Sequence, residues 1–483
     1  MFFIVLLLTG IALILSLSFT PIVRALALRY DLVDRPDARK VHKAPIPRVG
    51  GIAVSAAYFG SCLIVGLLVM NFLPDLPGAF STIKSIAPAT LLIFMVGLAD
   101  DIFNLRPWQK FAVQTAASLL VVSAGVHMGD SYLFVGYPIL ARVATVIWLL
   151  ACTNAVNLID GLDGLAAGIA LLATTTTLIA SVMSGNFELT IATAPLAGAL
   201  IGFLVFNSNP ASIFLGDSGS LVLGFLLGCF SLLWSAKSAT LLGMAAPLMA
   251  LSIPLIDTSL AILRRFLRGQ PIFLPDRSHV HHRLLALGLT HRRAVLFLYS
   301  AGMIASLLSL SLIWARSHGE AIVLLAFVSV AVFGIDRLGY PELNAARKVL
   351  LRGGLRREIG AQLEVQSLRD SLRKAQTAED CWAALQRNSS RFGFEIVRMG
   401  VANQVFGATE AAAQPSLLRI AISDRDWLDV SLDSDVEKQP NILLPLVATM
   451  QDALGKKGLT SGDLTASSAF TPIFHETASS TIQ

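Results

Sequence analysis

Ile86-Ala-Pro-Ala-Thr-Leu-Leu-Ile-Phe-Met-Val-Gly-Leu-Ala-Asp100-Asp101 is a long apolar run that ends on two adjacent carboxylates. A run of this kind reads as a membrane-spanning helix with its charges delivered at one end. The composition around it agrees. Hydrophobic residues make up 54% of the 483 residues and charged residues 14%, about half the charged share of a soluble domain. The chain is nearly uncharged over long stretches up to Ile335, whereas the last ~145 residues have an ordinary soluble mixture. This asymmetry predicts an all-α polytopic membrane bundle over residues 1–340, followed by a small cytoplasmic α+β domain over 341–457. A Ser/Thr-rich end, 458–483, reads as disordered. The four cysteines, Cys62, Cys152, Cys229 and Cys381, form no paired motif and read as small buried hydrophobes.

Hydropathy predicts about eleven spanning helices. They fall near residues 2–23, 50–70, 86–103, 111–128, 139–156, 164–184, 188–206, 219–236, 239–263, 293–315 and 320–338. The loops after odd-numbered helices carry most of the basic residues, among them Arg24, Arg29, Arg39, Lys40, Arg106, Arg264, Arg265 and Arg277. The other loops hold little beyond Lys84, Arg142, Lys237 and Arg316. The positive-inside rule therefore puts the odd-numbered loops and the C-terminal tail in the cytoplasm. Met1 to Phe19 lacks a basic leader and a small-residue cleavage site, and reads as a retained first helix. No basic stripe with interleaved aromatics suggests nucleic-acid binding.

Five polar clusters fall in those same loops. The first runs from Asp34 through Lys43 and Arg48 to Gly50-Gly51, basic groups set among prolines and glycines; an ordinary positive-inside loop would look similar. In the second, Asp100 and Asp101 are followed by Lys110, and paired carboxylates suit a general base beside a phosphate. The third, Asn154-Ala-Val-Asn157-Leu-Ile-Asp160-Gly-Leu-Asp163-Gly164, puts amides and carboxylates on one slowly drifting helical face, suited to nucleoside hydrogen bonding. In the fourth, Asn207 and Phe214 precede Gly216-Asp217-Ser-Gly219. Asp217 is the first choice for a magnesium ligand, since Mg2+ takes one or two carboxylates plus substrate phosphates. In the fifth, His279, His281, His282 and Arg283 are too closely spaced for a zinc site and suit phosphate oxygens.

The order and spacing of these clusters resemble the polyprenyl-phosphate N-acetylhexosamine-1-phosphate transferases, within glycosyltransferase family 4. The resemblance rests on residues 39–51, 100–107, 154–164, 214–219 and 278–283 and covers residues 1–340. It implies a Mg2+-dependent enzyme, with Mn2+ as a substitute, that joins a UDP-sugar donor to undecaprenyl phosphate in a bacterial inner membrane. Asp100 and Asp101 would be the catalytic carboxylates and Asp217 the metal ligand. Asn154, Asn157, Asp160, Asp163, Asn207 and Phe214 would hold the nucleotide sugar. Lys43, Arg48, Lys110, His279, His281, His282 and Arg283 would meet phosphate or sugar. Pro47-Arg-Val-Gly-Gly51 and the late Lys110 are similar to the GlcNAc-phosphate branch, which starts surface glycans such as O-antigen, rather than to the phospho-MurNAc-pentapeptide branch. A homodimer is the assembly envisaged. A secondary transporter, the competing class, predicts polar groups at mid-bilayer and an internal repeat, and the sequence has neither. In the tail, 394–401, 417–422 and 427–432 read as strands, 363–375 and 442–454 as helices.

Overall fold

A computed structural model describes residues 2–35, 45–72, 80–128, 136–236, 245–267, 279–312 and 317–338 of the membrane part. In the tail it describes 368–372, 375–389, 395–401, 404–407, 417–423, 425–431, 450 and 470–472. The chain divides into two compact units, Met1–Glu342 and Leu343–Gln483.

The first unit is helical: α1 (Phe2–Arg29), α2 (Gly50–Phe72), α3 (Ser81–Phe103), α4 (Pro107–Ser123), α5 (Pro138–Ile159), α6 (Leu165–Met183) and α7 (Phe187–Asn207). It continues with α8 (Asp217–Ala236), α9 (Ala245–Ala250), α10 (Ser252–Leu267), α11 (Val280–Ala286), α12 (His291–Ser311) and α13 (Ser317–Arg337). Among the described residues, nine helices are long and apolar enough to cross a membrane. Two of the eleven expected spans differ. The fourth is α4, only 17 residues long, or about 26 Å at 1.5 Å per residue. The ninth divides into α9 and α10 at Leu251. Pro254 has no N–H to offer the carbonyl of Ala250, so the chain stops one helix and begins another.

α7 and α8 are the most enclosed spans, 78% and 83% buried, and α13 is 0% buried. α8 packs on α3 and α5, and α7 on α1 and α6. Small residues set these distances. A Cβ on Gly97 of α3 would stand 2.5 Å from the Asp217 carbonyl, and one on Gly51 of α2 would stand 2.1 Å from the Gly219 nitrogen. Three helix ends thus meet backbone to backbone, as small residues permit in membrane packing. Short strands β1 (Val33–Asp34) and β2 (Ile46–Pro47) pair antiparallel between α1 and α2.

In the second unit five antiparallel strands are ordered β4-β3-β6-β5-β7. They are β3 (Glu395–Val401), β4 (Gln404–Gly407), β5 (Leu417–Ala421), β6 (Trp427–Ser431) and β7 (Phe470–Pro472). Three of these are the expected strands, with ends shifted by a residue; β4 and β7 are too short to stand out in a pattern search. Met399, Ile420, Leu428 and Val430 pack with Leu368, Leu372, Cys381 and Leu385 into a core. Asp429, 0% exposed, accepts hydrogen bonds from both Arg398 and Arg419. The expected helix at 442–454 lies outside the described residues apart from Met450.

Candidate active site

The ends of α3, α5 and α7 and the start of α8 meet around an open cleft of about 1090 Å³. For these three C-termini to share one end of the bundle, α4 and α6 must run back across it; that gives the short α4 the parity of a span.

The turn between α3 and α4 is written locally. Asn104 ends α3 in the left-handed conformation (φ 51°) and donates its N–H to the Asp100 carbonyl; Asn tolerates that geometry better than most residues. Arg106 N–H donates to Gln109 Oε1 at 2.8 Å, and Pro107 occupies the first helical position, where its missing N–H costs nothing. The reversal lays the first turn of α4 beside the last turn of α3. Lys110 Nζ then reaches Asp100 Oδ2 at 2.9 Å and Asp217 Oδ2 at 2.9 Å.

The paired aspartates occupy different environments. Asp101 points at the N-terminus of α8, where Oδ1 accepts the Asp217 N–H (2.8 Å) and Oδ2 the Ser218 N–H (2.9 Å). A carboxylate there satisfies orphan helix donors and meets the positive end of the dipole. Asp100 accepts the Leu105 N–H at 2.7 Å through Oδ1 and holds Lys110 through Oδ2. Gly216, at φ +73°, lets the chain turn into α8; a Cβ on it would stand 2.0 Å from the Arg48 carbonyl. The first loop is tied to this turn by Phe214 N–H to Pro47 O at 2.7 Å and Gly51 N–H to Leu215 O at 2.8 Å.

Beside these, Asp160, Asp163, Asn207, Phe214, Arg48 and His282 line the cleft. Asp163 Oδ2 accepts from Asn209 Nδ2 and the Ala211 N–H, and Asn207 Nδ2 donates to Ile213 O at 2.9 Å. Asn157 donates to Ser220 Oγ at 2.9 Å. Burial first, then the charges of Asp217, Asp101 and Asp163, push the Asp160 carboxyl up to about 8. Asn154 lies away from the cleft lining, paired with Gln114 of α4 at 2.8 Å. Arg283 Nε donates to Leu338 O. Lys43, with the rest of the first-loop basic run through residue 44, lies outside the described residues.

The three histidines part company. His279 Nδ1 is 3.1 Å from Asp257 Oδ2, and the Val280 N–H donates to Asp257 Oδ1 at 2.9 Å. Asp257, 1% exposed on α10, therefore anchors the loop. His281 packs under Gly161, where a Cβ would stand 2.4 Å from its Nε2; burial lowers its pKa to about 4. His282 reaches the cleft itself.

Asp34, which opens the first polar cluster, also lines the cleft, as do Asn104, Asn209, His291 and Arg292, which were not singled out in the sequence. The last two could have been: Thr290-His-Arg-Arg is a basic run with an N-cap threonine, lying just before the apolar span expected at 293–315. Asp257 was hidden inside the span expected at 239–263, although a carboxylate inside an apolar segment is itself a signal.

A cleft at one end of a helical membrane bundle, lined by carboxylates, two arginines and two histidines, with a lysine bridging two of the carboxylates, suits a membrane enzyme acting on phosphates. The chain is a member of glycosyl transferase family 4, whose family model matches residues 83–235. It is 37% identical over 306 residues to a probable undecaprenyl-phosphate N-acetylglucosaminyl 1-phosphate transferase of Bacillus subtilis, covering 62% of this chain and 82% of that one. It is 36% identical to a decaprenyl-phosphate N-acetylglucosaminephosphotransferase of Mycolicibacterium smegmatis, over 60% of this chain and 77% of the relative. An undecaprenyl-phosphate alpha-N-acetylglucosaminyl 1-phosphate transferase of Escherichia coli K12 is 28% identical, over 59% and 77%. The apolar helices and these relatives make the chain a multi-pass membrane protein.

Proposed function

We propose that this chain transfers N-acetylhexosamine-1-phosphate, GlcNAc-1-phosphate first among the candidates, from a UDP-sugar to undecaprenyl phosphate. An oxygen of the lipid phosphate bonds to the sugar-linked phosphorus, and the bond from that phosphorus to the UMP oxygen breaks. UMP leaves, and a lipid-diphosphate-sugar remains to start a cell-surface glycan. The observation that carries this reading is the junction of Asp100, Lys110 and Asp217, from three helices, at a cleft also lined by amides and an aromatic ring.

In this reading Asp100 faces the acceptor phosphate and takes up a proton when the acceptor arrives protonated. Asp101 acts on Asp217 through the α8 backbone. Phe214 offers a ring face to the uracil, while Asn207 and Asp163 shape the wall around the nucleoside. Arg48, His282 and Arg292 donate to diphosphate oxygens. In this reading the cleft faces the cytoplasmic side of a bacterial inner membrane, where UDP-sugars are available; the positive-inside bias supports that side.

Among the described residues no group of three or more His, Cys, Asp or Glu side chains is arranged to hold a metal ion. The donor set nevertheless fits Mg2+, or Mn2+ in its place, because that ion takes one or two carboxylates and completes its shell with phosphate and water. The Asp160 carboxyl, raised first by burial, is raised further by the carboxylates of Asp217, Asp101 and Asp163, negative charge that a cation would offset. Asp217 and Asp100 would hold the ion, and its contribution would be to neutralise charge on the diphosphate.

The purified chain, incubated with undecaprenyl phosphate, UDP-GlcNAc and Mg2+, should release UMP; a panel of UDP-sugars then ranks the donors, UDP-MurNAc-pentapeptide included. No UMP from any UDP-N-acetylhexosamine, or full activity in Asp217→Ala, would discard the proposal.

A further inference from the structure

We propose that Lys110 bridges Asp100 and Asp217 until a divalent ion binds, and is then displaced from them and passed on to the donor's phosphates. This rests on the transferase reading above and adds a step before it.

The geometry places one ammonium between two carboxylates, 2.9 Å from an oxygen of each. Side-chain exposures are 23% for Lys110, 14% for Asp100 and 26% for Asp217. Two carboxylates this close repel each other where water is partly excluded, and the ammonium offsets that repulsion. A divalent ion drawn to the same oxygens meets the lysine already there. At contact distance the two cations repel, so metal binding and the ion pair compete. Lysine suits such an exchange, because its charge is compact and its four-carbon stem flexes. Arg48, His282 and Arg292 mark where phosphate oxygens are received around the cleft, and a freed ammonium swings toward that anion. Vacating the carboxylates and meeting the phosphate then reinforce each other, and metal and nucleotide bind cooperatively. By linkage each tightens the other equally.

The test uses the full chain in detergent, with Mn2+ as the metal and electron paramagnetic resonance to count free ion, donor and acceptor being absent. Lys110→Gln removes the charge; Lys110→Arg keeps it. We expect Lys110→Gln to bind Mn2+ about tenfold more tightly than the unaltered chain, and Lys110→Arg to bind it no more tightly. Added UDP should tighten Mn2+ binding more in the unaltered chain than in Lys110→Gln. A second measurement needs no variant: Mn2+ should speed acylation of the Lys110 amine, read by peptide mass spectrometry against the other lysines. Equal or weaker Mn2+ binding in Lys110→Gln, equal tightening by UDP in the unaltered chain and Lys110→Gln, or Mn2+-insensitive labelling overturns the proposal. UMP release is scored separately, so failure of the transferase reading leaves these metal measurements standing, and the reverse also holds.

Discussion

Asp101 caps the helix that Asp217 begins: the carboxylate at the end of α3 accepts the N–H groups of Asp217 and Ser218 at 2.8 and 2.9 Å. The two adjacent aspartates therefore divide the work. Both line the cleft, but Asp100 pairs with Lys110, whereas Asp101 fixes the backbone that presents Asp217.

Asp101→Ala is expected to lose a helix cap, worth about 1–2 kcal/mol, and to lower the melting temperature of the purified chain. Asp100→Ala removes no cap from α8 and should melt closer to the unaltered chain while losing UMP release. Equal melting of both variants would contradict the division.

The close approach of α2 and α3 to α8 predicts intolerance of a single methyl group. Gly97→Ala and Gly51→Ala place a Cβ against backbone atoms that cannot move independently. Each should destabilise the bundle by roughly 1–3 kcal/mol or more. Gly66→Ala, with nothing within 4 Å of its Cβ, is the control and should be neutral within about 0.5 kcal/mol. Thermal melts of the three variants in one detergent decide the comparison.

Asp160, with its carboxyl at about 8, is expected to be mostly protonated at pH 7. A cation or metal–nucleotide complex entering the cleft favours the charged form, so binding should release up to one proton at pH 7. Because the folded value lies above the unfolded 3.8, the stability contributed by this carboxyl is complete below about 4 and is lost as pH rises through about 8. Titration calorimetry of Mn2+–UDP in two buffers of different ionisation enthalpy measures the proton. Asp160→Asn should abolish it.

His281 runs the other way. Its pKa falls from 6.5 to about 4 on burial, so its contribution to stability is present above about 6.5 and lost as pH falls toward 4. His281→Asn removes that acid sensitivity, and melts recorded between pH 7 and 4.5 compare the two. Gly161→Ala, whose Cβ meets the His281 ring, should destabilise even at neutral pH.

In the second unit, Asp429 is buried between Arg398 and Arg419, whose guanidiniums also lie 5.3 and 4.0 Å from the Trp427 ring. Asp429→Ala leaves two cations without their carboxylate and should cost about 3–5 kcal/mol of local stability. Faster hydrogen exchange in β3, β5 and β6, with exchange in α7 and α8 unchanged, is the expected result.

What the sequence determined by itself was the class of fold and the neighbourhood of the site. Apolar runs of membrane length have to become helices, because the bilayer leaves no other partner for their backbone groups. Polar residues collected at alternate helix ends have to share one side. Asp100, Asp160, Asp163, Asn207, Phe214 and Asp217 were found that way, and the cleft gathers them. Tertiary structure decided which of two adjacent aspartates pairs with Lys110 and which caps α8, that Asn154 pairs with Gln114 while Asp257 holds His279, and that one lysine joins Asp100 to Asp217. Each of these depends on where a second helix lies. Period and composition report which face of a helix is polar, and only packing brings that face to its partner.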